Sequence, residues 1–347
     1  MKRITIKEIA KEAGVSVGTV DRVLHNRGDV AEETKKLVLR IAKEGNYTTN
    51  VFARTLKLNR TFKISVIIPQ DNEYWLTQKD GIEIAAKEYE HLGIEVSFFK
   101  FERNDTASFI KQSEKALESK PDGVVIAPLL ENDATRICQQ MAESEIPYVF
   151  VDSNLPDMKP LAFVGQDTRQ SGFLAAKLLN YGFSKGHRAW ILKYSDYDIW
   201  NKTVKERING FRQYYQDRNW SNELITELDL VEESNLTGYI GQLESDQSLH
   251  IFVPNSRAYQ VVNWLKEHKI ENTTRLVGYD QVSANAEALK LGNIDFIINQ
   301  NPLQQGYLSI QALYKHLILN TQVEPFQYMP VEIVAMENME YANVPVR

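Results

Sequence analysis

The sequence predicts an all-α helix-turn-helix head followed by an α/β core of two doubly wound, parallel-sheet lobes. Three observations carry this. Residues 5–44 hold three amphipathic helical patterns joined by very short turns. From residue 63 onward, short Val- and Ile-rich runs alternate with helical patterns, the βαβ signature of parallel sheets covered on both faces. The charge also changes sign along the chain. Residues 1–60 hold 13 Lys or Arg against 7 Asp or Glu, net +6, whereas the whole chain is −6, so the remainder carries −12. A basic head on an acidic body confines attraction for a polyanion to the head.

The head begins with a capping box. Thr5 precedes the first apolar run and Glu8 follows three residues later, so hydroxyl and carboxylate each satisfy a free backbone N–H. Ile6, Ile9, Ala10 and Ala13 recur on one face, and Gly14 ends the helix where a left-handed residue is needed. Ser16 caps the next helix at once. There Val20, Val23 and Leu24 turn inward and leave Gly18, Asp21, Arg22 and His25 outside. Two short helices joined by so tight a turn suit the arrangement whose second helix enters the DNA major groove. A plain three-helix cap gives the same pattern, and the basic charge favours the DNA reading. A third helix over 31–44 turns Leu37, Val38 and Ile41 inward. Residues 46–63 are polar and basic with little core of their own, and read as a linker that orders when docked.

In the core, strands are predicted over 64–69, 94–101, 123–127, 148–152, 161–164, 188–193, 224–230, 250–253, 275–279 and 295–298. Helices are predicted through 79–93 and over 107–119, 134–144, 168–181, 202–219, 256–268, 284–291 and 302–319, and one extended stretch covers 327–334. So many strands in a chain of 347 residues divide best into two lobes. No self-similar period of 20–50 residues is visible. Cys138 is the only cysteine, which excludes an internal disulfide, and its helical pattern reads as a small core hydrophobe.

Enzyme chemistry finds little support. The nucleotide-binding, metalloprotease and hydrolase motifs are absent, and the six histidines are scattered without ligand spacing. The Asp residues at strand ends are not paired at catalytic spacing. The expectation is no catalysis, no metal and no cofactor. In doubly wound sheets, ligands sit beyond the carboxyl ends of the strands. Those ends here carry QDNEYW after the first strand, DSN after the fourth, PNSR near 253, Asp280, and NQN near 298. Aromatic faces among Asp, Asn, Gln and Arg suit a polyol, whose C–H patches stack and whose hydroxyls hydrogen-bond.

The head residues TIKEIAKEAGVSVGTVDRVL, EETKKLVLRIAKEGNYTTN and NVFARTLK, in that order over 4–58, resemble the LacI/GalR family of bacterial transcription regulators. The resemblance implies that Val17, Gly18 and Arg22 read bases, and that Ser16, Thr19, Asn26 and Tyr47 touch the DNA backbone or support the head. Thr5 is counted with these DNA-binding residues. Asn50, Ala53 and Leu56 would belong to a hinge helix that forms on DNA and pushes Leu56 into the minor groove. An arginine fork matches guanine O6 and N7, and an apolar wedge is how minor-groove binders kink a base step. Against the family pattern, Asp21 replaces a small hydroxyl residue, Gly18 offers no side chain, and Ala31 lacks a capping hydroxyl, which leaves Asp29 or a nearby group to cap.

The core resembles periplasmic sugar-binding proteins of the ribose-binding type over 62–335. That resemblance places Asn72, Tyr74 and Trp75 in the loop after the first strand, where two aromatics sandwich the sugar. It also places Asp152, Arg207, Asn255, Asp280 and Gln300 on ligand-binding positions. Ser153 stands where an Arg is usual and Ala127 where an Asn is frequent, so a larger or less polar ligand fits as well. Simpler roles compete: Asn72 and Asp280 as helix caps, Arg207 as a surface charge, Trp75 as packing. Phe163 and Trp200 are read as core.

The expected division is a DNA-binding domain over 1–48, a hinge helix and linker over 49–61, and a ligand-binding, dimerising core over 62–347, with the chain crossing between lobes near 165, 299 and 326. The function expected is a cytoplasmic, sugar- or metabolite-responsive regulator. A homodimer would bind a pseudo-palindromic operator in double-stranded DNA, and ligand-driven lobe closure would set its affinity. The dimer contact is expected around 79–92 and 287–291. No signal core and no apolar run of 18 residues is present, so no membrane is expected. A Rossmann-like sugar or nucleotide enzyme and a sugar-binding receptor are the alternatives.

Overall fold

Caps decide where the head helices start and stop. The structure, a computed structural model, describes residues 4–24, 28, 30–45, 60–70, 72–103, 105–183, 185, 187–193, 202–230, 241, 249–270 and 273–342. Helix α1 (Ile6–Ala13) opens on the capping box: Glu8 N donates to Thr5 Oγ1 at 3.3 Å and Thr5 N donates to Glu8 Oε2 at 2.7 Å. Gly14 ends it in the left-handed region, φ 66°. Ser16 Oγ accepts from Thr19 N at 3.0 Å and starts α2 (Val17–Leu24). Helix α3 (Glu32–Glu44) has no side-chain cap at Ala31; Glu32 and Glu33 in its first turn complement the helix dipole instead. The suggested cap Asp29 lies outside the described residues. Ile9, Val20, Val23, Val38 and Ile41 close the head's own core.

The core follows the alternation of strand and helix. Its elements are β1 (Phe62–Pro69), α4 (Glu73–Tyr89), β2 (Ile94–Phe101), α5 (Thr106–Glu118), β3 (Gly123–Ile126), α6 (Glu131–Glu143), β4 (Tyr148–Val151), β5 (Ala162–Gln166) and α7 (Thr168–Asn180). They continue as β6 (Ala189–Lys193), α8 (Lys202–Gln216), β7 (Ile225–Asp229), β8 (Leu249–Phe252), α9 (Ala258–Glu267), β9 (Thr273–Tyr279), α10 (Ser283–Lys290), β10 (Phe296–Asn299), α11 (Pro302–Tyr314), β11 (Phe326–Met329) and β12 (Glu332–Val334). Helix α11 stops short of the predicted 319 because its last turn widens to a π-turn over Lys315–Leu319. Two six-stranded sheets result, ordered β11-β5-β4-β3-β1-β2 and β12-β10-β9-β8-β6-β7. The two orders are the same, so one lobe repeats the other. All described pairings are parallel except β10 with β12. Strands β3, β4 and β8 are buried at every residue, which is why they read as apolar runs rather than alternations. Cys138 is fully buried beside Phe109 and Met141, and burial pushes its thiol up to about 12, as a core hydrophobe requires.

The chain crosses between lobes after β5, after β10 and at Pro330. The predicted single strand over 327–334 is two strands in two sheets. Pro330 has no N–H to continue a ladder, so β11 ends in the first sheet and β12 joins the second. The third crossing therefore lies at Pro330 and not near 326. Gln166 staples the three crossings: its Nε2 donates to Asn299 O at 3.1 Å and to Pro330 O at 3.0 Å.

Each lobe also carries a helix pair in backbone contact. A Cβ on Gly81 of α4 would lie 1.9 Å from Leu303 O of α11, and one on Gly306 would lie 2.0 Å from Gln78 O. In the second lobe, Gly172 of α7 and Gly210 of α8 face Arg207 O and Arg169 O at 1.9 and 1.8 Å in the same reciprocal way. Only glycine permits such crossings, and they fix Tyr74 and Arg207 relative to their sheets.

Candidate functional site

The carboxyl ends of the two sheets meet. Asp152 follows β4 and Asp280 follows β9, equivalent places in the two strand orders, and both adopt left-handed backbone at φ 66° and 62°. That conformation turns each carboxylate away from its strand, and short polar residues tolerate it. Both are buried, at 7% and 4% exposure. Tyr74 OH donates to Asp152 Oδ1 at 2.7 Å, and Ser153 Oγ donates to Oδ2 at 2.9 Å. Gln300 Nε2 reaches both Asp280 oxygens, at 3.0 and 2.9 Å. Arg207, 3% exposed, donates from Nη1 to Pro254 O at 2.9 Å and lies 3.7 Å over the Tyr279 ring.

Burial dominates the electrostatics. It pushes the Asp280 carboxyl up to about 7, against the pull of Arg207 and the Gln300 hydrogen bond, with Asp152 adding to the rise. Burial also raises Tyr74 well above its ordinary value, followed by the charges of Asp152 and Asp280. Several buried polar atoms have no partner among the described residues: Arg207 Nε and Nη2, Trp75 Nε1 and Gln300 Oε1. In a desolvated site such groups are costly unless something else meets them.

The structure thus brings together Tyr74, Asp152, Arg207, Asp280 and Gln300, with Trp75 edge-on against Tyr74, ring centroids 5.0 Å apart. Asn72 and Asn255 are engaged locally. Asn72 Oδ1 caps α4 by accepting from Trp75 N at 3.2 Å, and Asn255 Oδ1 accepts from Arg257 N at 2.8 Å. Trp75 also packs into the first lobe's core, and Phe163 is buried as read. Trp200 lies outside the described residues.

Sequence reasoning missed two side chains, Gln305 and Tyr279, and contacts between the lobes. Gln305, fully buried on α11, accepts from Asp152 N at 3.1 Å and donates to Gln300 O at 2.9 Å and to Tyr74 OH at 3.4 Å. A glutamine on the apolar face of a helix beside Gly306 was its signal. Tyr279 forms the platform under Arg207. Ser153 and Thr203 join the lobes through hydroxyl oxygens 2.9 Å apart. Ser283 N, opening α10 in the second lobe, donates to Glu73 Oε2 of the first at 2.6 Å, an N-terminal cap supplied across the lobes. A separate open groove, lined by Glu83, Lys87, Glu90, Glu95 and Phe98, lies along α4 and the edge strand β2 and contains none of the predicted ligand residues. Among the described residues no cluster of three metal-binding side chains is found.

On the head, Val17, Gly18 and Arg22 are exposed on α2. Arg22 Nε donates to Gly18 O at 3.3 Å and Nη2 to Thr19 Oγ1 at 3.4 Å, while Ser16 and Thr19 hydroxyls lie 2.9 Å apart. Thr5 serves the α1 cap. Asn26, Tyr47, Asn50, Ala53 and Leu56 lie outside the described residues.

Comparison with known proteins adds to this geometry. Residues 5–50 match the family described as bacterial regulatory proteins, lacI family, and residues 64–321 match the periplasmic binding protein domain. The HTH-type transcriptional regulator MalR of Streptococcus pneumoniae is 24% identical over 97% of this chain and 99% of its own length. The HTH-type transcriptional regulator DegA of Bacillus subtilis is 30% identical over 62% of this chain and 61% of its own. A crystal structure assigned as a LacI transcriptional regulator from Bacteroides fragilis is 30% identical, with a TM-score of 0.71 over 81% of this chain and 99% of that one. GanP, a glucose-galactose binding protein from Geobacillus stearothermophilus, shares the fold at 18% identity, with a TM-score of 0.67 over 80% of this chain and 99% of that one.

Proposed function

The chain belongs to the LacI family of bacterial regulatory proteins, and from that premise we propose that it binds a pseudo-palindromic operator as a homodimer under the control of a polyhydroxy effector held between its lobes. It is a DNA-binding transcriptional regulator responsive to a sugar or metabolite. The observation that carries the effector assignment is the set of buried, unpartnered groups on Arg207, Trp75 and Gln300 beside two buried carboxylates. A polyol satisfies that set, because each hydroxyl both donates and accepts.

Asp152, Tyr74, Trp75, Arg207, Asp280 and Gln300 are the ligand contacts in this reading, with Asn72 and Asn255 shaping the loops that present them. Thr5, Ser16, Val17, Gly18, Thr19 and Arg22, together with Asn26, Tyr47, Asn50, Ala53 and Leu56, are the DNA-facing set. Residues 1–48 form the DNA-binding unit and 49–61 the hinge. The effector closes the lobes, and its preference for the closed state supplies the coupling, typically ~1–3 kcal/mol. The interlobe bonds Ser153–Thr203 and Glu73–Ser283 support closure as the mobile coordinate. Exposed Leu76 and Ile84 on α4 and Leu291 after α10 support a dimer contact through those faces. Among the described residues no helix is long and apolar enough to cross a membrane; the proposed place of action is the cytoplasm, with the operator.

Fluorescence anisotropy with inverted-repeat fragments flanking the gene, with and without a sugar library, tests this. The expected result is salt-sensitive binding that one or more sugars shift. Absence of salt-sensitive preference for any fragment, with every sugar tried, would overturn it.

A further inference from the structure

Three contacts between the lobes share one polarity. Lys202 Nζ reaches Glu131 Oε1 at 3.4 Å, Ser283 N donates to Glu73 Oε2 at 2.6 Å, and the hydroxyls of Thr203 and Ser153 lie 2.9 Å apart. Ser153 gives its own proton to Asp152 Oδ2, so Thr203 is the donor between the two hydroxyls. In all three contacts the donor belongs to the second lobe. The receiving groups, Glu131, Glu73 and the Ser153–Asp152 pair, belong to the first. The donors also lie at helix starts, where the dipole is positive: Lys202 and Thr203 open α8, and Ser283 opens α10.

Two of the contacts are placed reciprocally. Glu73 follows β1 and Ser283 follows β9, while Thr203 follows β6 and Ser153 follows β4. Strands β6 and β9 hold in the second sheet the places of β1 and β4 in the first. The crossings are gathered at one edge of each sheet, beside β5, β11, β10 and β12, so lobes that swing about them part at these contacts. Each of the two also flanks the candidate site. Thr203 lies four residues before Arg207 on α8, Ser283 three after Asp280, Ser153 next to Asp152, and Glu73 next to Tyr74.

We propose that Lys202, Thr203 and Ser283 are positioning residues that, with Glu131, Ser153 and Glu73, form a latch closing the lobes in a minority of molecules before any effector arrives. This rests on the reading that the lobes close on an effector. The latch brings Arg207 and Asp280 opposite Asp152 and Tyr74 without touching the effector itself.

The three contacts differ in strength. The Lys202–Glu131 pair faces solvent, where water and salt weaken it. Thr203 and Ser153 are both buried, at 6% exposure, and their chain of hydroxyls ends on a carboxylate, so each bond polarises the next. Contacts of this kind bias an equilibrium and leave the remainder to the effector. A ligand that takes the closed form gains apparent affinity in proportion to the closed fraction that already exists.

The test is pulsed dipolar EPR on the full-length protein with no sugar present. Nitroxides are placed on Gln140→Cys of α6 and Asn209→Cys of α8, exposed positions on the two helices that carry the Lys202–Glu131 contact; Cys138 is buried and takes no label. Labelled chains are diluted into unlabelled protein so that a single protomer is read. The expected distribution has a major long distance and a minor short one. Thr203→Val keeps the side-chain shape and removes the hydroxyl, and should shrink the short component about fivefold, the scale of one buried hydrogen bond. Glu131→Lys should shrink it about twofold, as suits a solvent-facing pair. Adding Lys202→Glu to Glu131→Lys should restore it, which independent structural damage at two sites would not do. A distribution without the short component overturns the latch, and so does a short component that neither Thr203→Val nor Glu131→Lys diminishes. Both results leave the effector reading to its own anisotropy test, because no sugar enters this one.

Discussion

Arg22 on α2 and Arg207 on α8 carry the same side chain in opposite settings. Arg22 is exposed, and the hydrogen bonds it makes on its own helix, to Gly18 O and Thr19 Oγ1, are long at 3.3 and 3.4 Å. Arg207 is sealed, with one N–H group engaged by Pro254 O, its face on Tyr279, and its α8 backbone pressed against Gly172 of α7. DNA offers a long charged surface to which a hydrated, adjustable cation adapts, and the resulting attraction is screened by salt. A small ligand offers few atoms, so its partner has to be pre-set in a dry site where each contact is strong. In the proposed reading the head relies on field and reach and the core on fixed geometry, and the same residue type would serve both because burial and packing differ.

The comparison is tested hardest at Arg207. Arg207→Met should leave Asp152 and Asp280 buried without their cation and cost about 3–5 kcal/mol of stability, seen as a fall in the urea midpoint. Arg22→Met on the surface should stay within about 0.5 kcal/mol of wild type. Equal losses would show that burial is not what separates the two. Next, Arg22→Ala should lower operator affinity by about 1–3 kcal/mol at one base pair, in competition assays that vary each position in turn. A uniform loss across all sequences would make Arg22 a phosphate contact instead.

A smaller effect concerns pH. The Asp280 carboxyl moves from 3.8 up to about 7 on folding, so the folded state holds the proton more tightly than the unfolded one. The stability tied to it is complete below 3.8 and is lost as pH rises through about 7. Tm should therefore fall between about pH 4 and pH 7 and level off above that, and Asp280→Asn should flatten that slope. An unaltered slope would place the titration elsewhere. Smallest is Glu73→Gln, which removes an anion from the N-terminus of α10 and should weaken effector binding by about 0.3–1 kcal/mol while DNA affinity of the ligand-free protein is unchanged.

Local signals in the sequence carried well into the structure. The capping box at Thr5 and Glu8, the Gly14 turn and the Ser16 cap are contacts between residues three or four apart, so spacing alone announces them. Strand β2 lies at its predicted 94–101, bounded by Gly93 before it and by the polar run from Glu102 after it. Contacts made at long separation were hidden. Pro330 looked like a residue within one strand, because nothing local says that its two sides pair with different sheets. The Ser153–Thr203 and Glu73–Ser283 bonds join residues whose proximity exists only after both lobes form. The duplication of the lobes was also missed, since it repeats at the scale of a lobe and not of 20–50 residues. Its trace is QSGFL at 170–174 against QQGYL at 304–308. The second residue of each reaches a tyrosine hydroxyl beside the site: Ser171 to Tyr279 at 2.9 Å, and Gln305 to Tyr74 at 3.4 Å. For the ligand set, residue type was readable but employment was not. Asn72 caps a helix, as the simpler reading allowed, and Arg207 is the opposite of a surface charge.

The threefold passage between lobes has a consequence for synthesis on the ribosome. The first sheet takes its edge from β11 and its covering helix from α11, both drawn from the far end of the chain. Neither half can finish as it emerges; the earlier one waits, with α4 and the inner face of β5 uncovered, until some 160 further residues have been made. The three-helix head needs only its own 42 residues, from 4 to 45, and can mature first. Nascent molecules would then pass through an interval with a finished DNA-gripping end and no means of sensing metabolite, an interval whose length is set by translation speed alone.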